Sequence, residues 1–164
     1  GASARSCAIC PDGRRTNSGL AFEMTDFPIQ HDSAALSHQL REAGLRPTRQ
    51  RVALAALLYG KGDRHVTAEL LHEEAVASGE SVSLATVYNT LHQFQTAGLL
   101  REISIGGQRT YFDTNVSNHN HFFIEAEGRL VDIPNSTIRV DGLPQPPEGL
   151  RVSHVDVVVR LVKD

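Results

Sequence analysis

Along residues 33–98 apolar side chains recur three and four positions apart, and beyond residue 100 they alternate with polar ones. The first spacing lines one stripe of a helix and the second lines one face of a strand. Helical periodicity starts at Asp32-Ser33, an N-cap signal, and runs through Leu36, Leu40 and Ala43 to a stop at Gly44. Pro47 then breaks the chain. Thr48 caps a second helix with Val52, Ala55, Ala56 and Tyr59 as its stripe, and Gly60 ends it. A third helix starts at Thr67, places Glu69 in its electropositive first turn, and ends near Ser78-Gly79. The fourth runs from Ser83 to Ala97-Gly98. Two short alternating runs flank Gly106-Gly107, a pair that accepts the positive φ of a tight hairpin turn. Helices followed by such a hairpin predict a winged helix.

The remainder is patterned differently. "HFFIEAEGRLVDIP" predicts two strands around Gly128, and "RVSHVDVVVRLV" one long strand with Val155, Val157, Val159 and Leu161 on one face. Between them "GLPQPPEG" is too rich in proline for regular helix. Residues 1–32 are small and polar and read as a flexible leader. The expected fold class is therefore α+β, with a leader over 1–32, a winged-helix domain over 33–113 and a small α/β domain over 114–164, hinged near 113–118.

Composition narrows the function. No apolar run approaches the roughly 18 residues of a membrane span. The leader "SARSCAICPDGRRTNSG" lacks a signal-peptide core, so a cytoplasmic protein with no membrane partner is expected. Cys7 and Cys10 are the only cysteines, which leaves no disulfide framework. The net charge of −3 argues weakly against nucleic acid, but distribution matters more than the sum.

The fourth helix supplies that distribution. Leu84, Val87, Leu91 and Phe94 form its core face; Ala85, Thr86, Asn89, His92 and Gln93 face outward, with Tyr88 on the border and no carboxylate among them. A face that lies against phosphates should avoid carboxylates. Asn and Gln can read adenine edges with two hydrogen bonds, and Tyr can reach phosphate or stack. Nearby, Arg41, Arg46, Arg49, Arg51, Lys61 and Arg64 stand against only Glu42 and Asp63 between residues 41 and 64. Either feature alone also fits an ordinary solvated face. Together with the wing they favour double-stranded DNA, with Arg46, Arg49, Arg51, Ala85, Thr86, Tyr88, Asn89 and Gln93 as the contact candidates. A separate signal is "SNHNHFFIE", which puts His119 and His121 on one face of a strand. That suits two ligands of one metal, although the pair alone is better explained as a polar strand edge or turn.

At this point a family resemblance enters. "GLRPTRQRVALAALL", "HVTAELL", "VSLATVYNTLHQFQTAGLL" and "HNHFFIEAEGRLVDIP", in order over about 36–133, resemble the ferric uptake regulator superfamily. "VSLATVYNTLHQF", with "TYFDTN" followed by "HNHFFIE", is most similar to its iron response regulator branch, Irr. The resemblance implies a homodimeric winged-helix repressor of AT-rich inverted repeats, with an α/β dimerisation and sensing domain after the wing. It implies a divalent metal between the two domains, and in the Irr branch a response to iron through haem. Carried over position by position, the metal ligands are His65, Asp113, His119, His121 and Asp132. This all-nitrogen-and-oxygen set suits Mn2+ or Fe2+ better than a structural zinc. The zinc that many relatives hold on two CxxC pairs is not expected, because Ile124 and Glu127 stand at the first pair. Asn118 and Asn120 leave a second family metal site in doubt.

Haem would have Cys10, in the dipeptide Cys10-Pro11, or His119 and His121 as ligands, and haem or a haem-synthesis protein would then be a further partner. Cys7 and Cys10 also read as a redox or zinc pair. Two rival functions stand beside this one. A peroxide sensor of the same superfamily uses three His and two Asp, and releases DNA when iron oxidises a ligand histidine. A non-haem iron oxygenase would use His119, His121 and a carboxylate as its triad. The short chain, the lack of an evident barrel and the unexplained fourth helix count against that enzyme.

Overall fold

The computed structural model describes residues 32–107, 109–133 and 138–163. Cys7 and Cys10 lie outside the described residues. Among these residues four helices, α1 (Ser33–Glu42), α2 (Arg49–Tyr59), α3 (Ala68–Ala77) and α4 (Leu84–Thr96), precede the hairpin β2 (Arg101–Ile105) and β3 (Arg109–Asp113). The short strand β1 (His65–Val66) lies between α2 and α3, and β4 (Asn120–Ile124), β5 (Arg129–Ile133) and β6 (Val158–Leu161) follow the hairpin.

Each helix begins where its cap predicts. The side chains of Asp32, Thr48, Thr67 and Ser83 accept from the amides of Ala34, Arg51, Leu70 and Thr86. Such a cap is worth about 1 kcal/mol. Helix α2 ends at Gly60 as expected, but Gly60 stays right-handed at φ −71° and the positive φ comes at Gly62. In the wing Gly106 and Gly107 have φ of 60° and 73°, the conformation the hairpin turn requires.

The helices enclose one core that includes Leu36, Leu40, Leu54, Leu58, Leu91 and Phe94. Helix α2 faces it through Leu54, Ala55 and Leu58, while Val52, Ala56 and Tyr59 pack at its margin. The stripe is rotated from the expected one because α2 packs against both α1 and α3 and is apolar over most of its circumference. In α4, Val87, Leu91 and Phe94 are buried as their spacing requires. Thr90 joins them, and Leu84 in the first turn stays exposed.

One sheet has the order β1-β3-β2, all antiparallel, with His65 and Arg101 both opposite Asp113. The other has the order β5-β4-β6. There β5 runs antiparallel to β4 with His121 opposite Asp132, and β6 runs parallel to β4. Parallel neighbours need a long crossover, and residues 138–157 form part of it with no helix among the described residues. The last strand is shorter than its β-branched run suggests. Its partner β4 has five residues, and pairing starts where the His121 amide donates to the Val157 carbonyl. Upstream of that, Val155 has no ladder to join.

A second apolar cluster joins the two sheets. Ile103, Ile105 and Tyr111 of the wing pack with Phe123, Leu130 and Val158 of the second sheet. The Tyr111 hydroxyl donates to the Gly128 carbonyl at 2.7 Å. This docking carries His65 and Asp113 to the side chains of β4 and β5. No helix among the described residues is long and apolar enough to cross a membrane.

Candidate metal centre and nucleic-acid face

His65, Asp113, His119, His121 and Asp132 each offer one ligand atom, and the five atoms lie within 4.8 Å of one another. Strand pairing assembles them. In the first sheet His65 faces Asp113 across a ladder, and in the second His121 faces Asp132. His119 precedes β4 by one residue and turns to the same side as His121, with ring centroids 4.4 Å apart. Asp113 Oδ2 lies 3.5, 2.9 and 3.3 Å from Nε2 of His65, His119 and His121. Asp132 Oδ1 lies 2.9, 3.4 and 3.6 Å from the same three atoms.

The surrounding groups select which atoms point inward. The Ser117 carbonyl, which can only accept, lies 2.9 Å from His119 Nδ1. Nδ1 therefore carries the proton, and Nε2 keeps a free lone pair in the neutral ring. The Asn115 amide donates to Asp113 Oδ1 at 2.9 Å and leaves Oδ2 to the cluster. Burial opposes ionisation of Asp113, but the hydrogen bond from His121, the close approach of His65 and the hydrogen bond from the Asn115 amide outweigh it and hold the carboxyl well below the usual range. Arg101 ties β2 to the segment ahead of β4 and to the crossover: Nη1 donates to the Ser117 and His119 carbonyls at 2.9 and 3.3 Å, and Nη2 pairs with Asp156.

The donor set fits a divalent cation. The Nε2 atoms of His65 and His119 are buried and lack an aligned hydrogen-bond partner, although carboxylate oxygens approach to 2.9 Å. Short distances without N–H···O alignment are what donors facing a common point produce, and unmatched buried groups call for such an explanation. Three imidazole nitrogens and two carboxylates, with no thiolate, match the ligands that Mn2+ and Fe2+ accept. Asp113 is fully buried, and Asp132 at 40% exposure is the opening toward solvent.

The DNA candidates fall into two groups. Ala85, Asn89 and Gln93 are exposed on one side of α4, with Thr86 and Tyr88 half-buried beside them. Arg46 and Arg49 are exposed nearby. Three expected features differ. The Tyr88 hydroxyl donates to Glu69 of α3 at 2.5 Å, so a carboxylate borders the face after all. Lys61 and Arg64 pair with Glu74, which removes two cations from the basic edge. Arg51 contacts Gln93 and the Arg46 carbonyl. Sequence reasoning missed Arg101, Asn115 and Ser117. Two of these act through backbone groups that no side-chain motif reveals, and Arg101 is signalled only by its register opposite Asp113.

Comparison with known proteins agrees with this architecture. Residues 42–159 match the ferric uptake regulator family. The chain is 31% identical over 127 residues to a peroxide-responsive repressor, PerR, of Staphylococcus aureus, covering 77% of this chain and 85% of that protein. The ferric uptake regulator of Pseudomonas aeruginosa, solved with manganese, superposes with TM-score 0.60 at 26% identity, over 77% of this chain and 96% of that one. The Vibrio cholerae regulator shares the fold at TM-score 0.63 and 22% identity, over 77% and 98%. The chain belongs to the ferric uptake regulator family of metal-responsive, DNA-binding, dimeric transcriptional regulators, and is not an enzyme.

Proposed function

We propose that this protein is an iron-responsive repressor that binds an AT-rich inverted-repeat operator as a homodimer. Its DNA affinity is set by Mn2+ or Fe2+ held by His65, Asp113, His119, His121 and Asp132. The convergence of these five ligand atoms from two sheets carries the reading. The working units are a DNA-binding domain over 33–113 and a dimerisation and sensing domain over 114–164. A bound cation supplies the positive charge that five donors share. His65 belongs to the first unit and His119, His121 and Asp132 to the second, so these donors meet only at one angle between the units. Preferential binding at that angle shifts the population toward it. Exposed Val140, Leu143, Leu150, Val152 and Val162 offer apolar surface for a second copy to bury. Each α4 would then enter the major groove of one half-site, with Ala85, Thr86, Asn89 and Gln93 toward bases and Arg46, Arg49 and Arg51 toward phosphates. Tyr88 reaches DNA only by leaving Glu69.

Fluorescence anisotropy with an AT-rich inverted-repeat duplex tests the proposal. Tight binding is expected with Mn2+ and not with chelator. A variant carrying both His119→Ala and His121→Ala should lose that metal dependence; full retention would sink the hinge site. The Irr-like haem response rests on Cys10-Pro11, because His119 and His121 are buried and offer no open face to a macrocycle. Added hemin should release DNA from the wild type and not from Cys10→Ala.

A second reading, peroxide sensing, is favoured by the identity to PerR. Protein loaded with Fe2+ and treated with peroxide would then gain one oxygen atom on His65 or His119 by mass spectrometry, with loss of DNA binding. Unmodified ligands with retained binding would exclude it.

A further inference from the structure

Arg51 and Gln93 meet between α2 and α4, forty-two residues apart in sequence. Arg51 Nε and Nη2 both donate to Gln93 Oε1, at 3.1 and 2.6 Å. Its Nη1 donates to the Arg46 carbonyl at 2.7 Å, which fixes the plane of the guanidinium. Gln93 is exposed on the outer side of α4. A glutamine amide has one acceptor oxygen with two lone pairs and one nitrogen with two donor hydrogens. Two charge-assisted bonds occupy that oxygen. What remains for a ligand is Nε2, a donor only.

The consequence is chemical. Glutamine reads adenine by accepting from N6 and donating to N7 at once. With Oε1 committed to Arg51, half of that pairing is unavailable. We propose that Arg51 determines base specificity by holding Gln93 as a donor-only reader. Gln93 then selects the base that presents two adjacent acceptors in the major groove, guanine with O6 and N7, over the donor–acceptor edge of adenine. The inference rests on α4 being the groove helix. It assigns Arg51 a positioning role that a bare phosphate contact would not have, and it replaces the adenine reading expected of Gln93 from sequence.

The test is selection from a random-sequence duplex pool by the full-length protein with Mn2+, followed by sequencing. Wild type, Gln93→Ala, Arg51→Ala and Arg51→Lys are compared. Gln93→Ala should flatten the preference at one base pair per half-site, and the wild type should show a G·C pair there. Arg51→Ala frees Oε1 and should move that pair toward adenine by about fivefold or more, the lower bound of bidentate discrimination. Arg51→Lys keeps the charge but loses the two-pronged grip. It should make the same shift in base preference, which covers the case in which Arg51→Ala folds poorly.

Adenine already preferred by the wild type at that pair would overturn the proposal. So would arginine variants that weaken all sequences equally and shift none, the signature of a phosphate contact. Preferences untouched by Gln93→Ala would overturn it too, with DNA binding intact. A wild type that enriches no sequence at all is a different result, the failure of the groove-helix reading itself.

Discussion

Glu74 accepts from Arg64 through both carboxylate oxygens, at 2.8 and 2.9 Å, and from Lys61 at 3.0 Å. The hydrogen bond from Arg64 lowers its pKa most, against partial burial, with Lys61 adding to the effect. A carboxyl whose folded pKa is depressed contributes stability above its ordinary value near 4.5, and loses it as pH falls through the folded value. Glu74→Gln should therefore cost about 1–2 kcal/mol at neutral pH in urea denaturation. That difference should shrink steadily below pH ~4.5. The grouping of His65, Asp113, His119, His121 and Asp132, whose ligand atoms lie within 4.8 Å of one another, was legible in the sequence only through the spacing of the motifs that carry the family resemblance. The pairings Glu74–Arg64, Glu69–Tyr88 and Arg51–Gln93 were not. Each joins residues on different elements whose facing is decided by packing, and charge counts taken within one segment could not see a neutralising carboxylate on the next helix.

Among the elements, α4 depends on Ser83, whose hydroxyl accepts from the Thr86 amide at 3.1 Å. Ser83→Ala should lower stability by about 1 kcal/mol. Mn2+ affinity measured by titration calorimetry should be unchanged, because none of the five proposed ligands sits on α4. Tyr111→Phe removes the hydroxyl that donates to the Gly128 carbonyl. It should cost about 1 kcal/mol in the same denaturation assay. Helix starts were legible because Asp, Thr and Ser caps act within three residues. The core face of α2 and the length of β6 were not, since the first is set by two flanking helices and the second by the five residues of β4 available for pairing.

In the whole molecule, the wing is packed on the second sheet through Phe123, which lies against Tyr111 at 6.1 Å between ring centroids. Removing a buried phenyl group costs about 3–5 kcal/mol. Phe123→Ala should loosen the two sheets while leaving the helical core of Leu54, Leu91 and Phe94 folded. Small-angle scattering of the metal-free variant should show a larger radius of gyration than wild type, and Mn2+ should reverse part of it. An unchanged radius would mean that the remaining contacts suffice to hold the docking.

The paired registers of the two sheets have a consequence for how this chain can vary in length. Each sheet supplies an imidazole and a carboxylate at directly opposed positions, His65 with Asp113 and His121 with Asp132. A strand displaced by one residue presents its other face. One residue inserted into β5 ahead of Asp132 would thus turn that carboxylate outward and leave His121 opposite Val131 or the inserted residue, whereas residues added within 138–157 alter no register among the five. Insertions and deletions should be excluded from the two hairpins and accumulate in the crossover, so the ruler that spaces the metal ligands is the pleat of the strands rather than the contour of the chain.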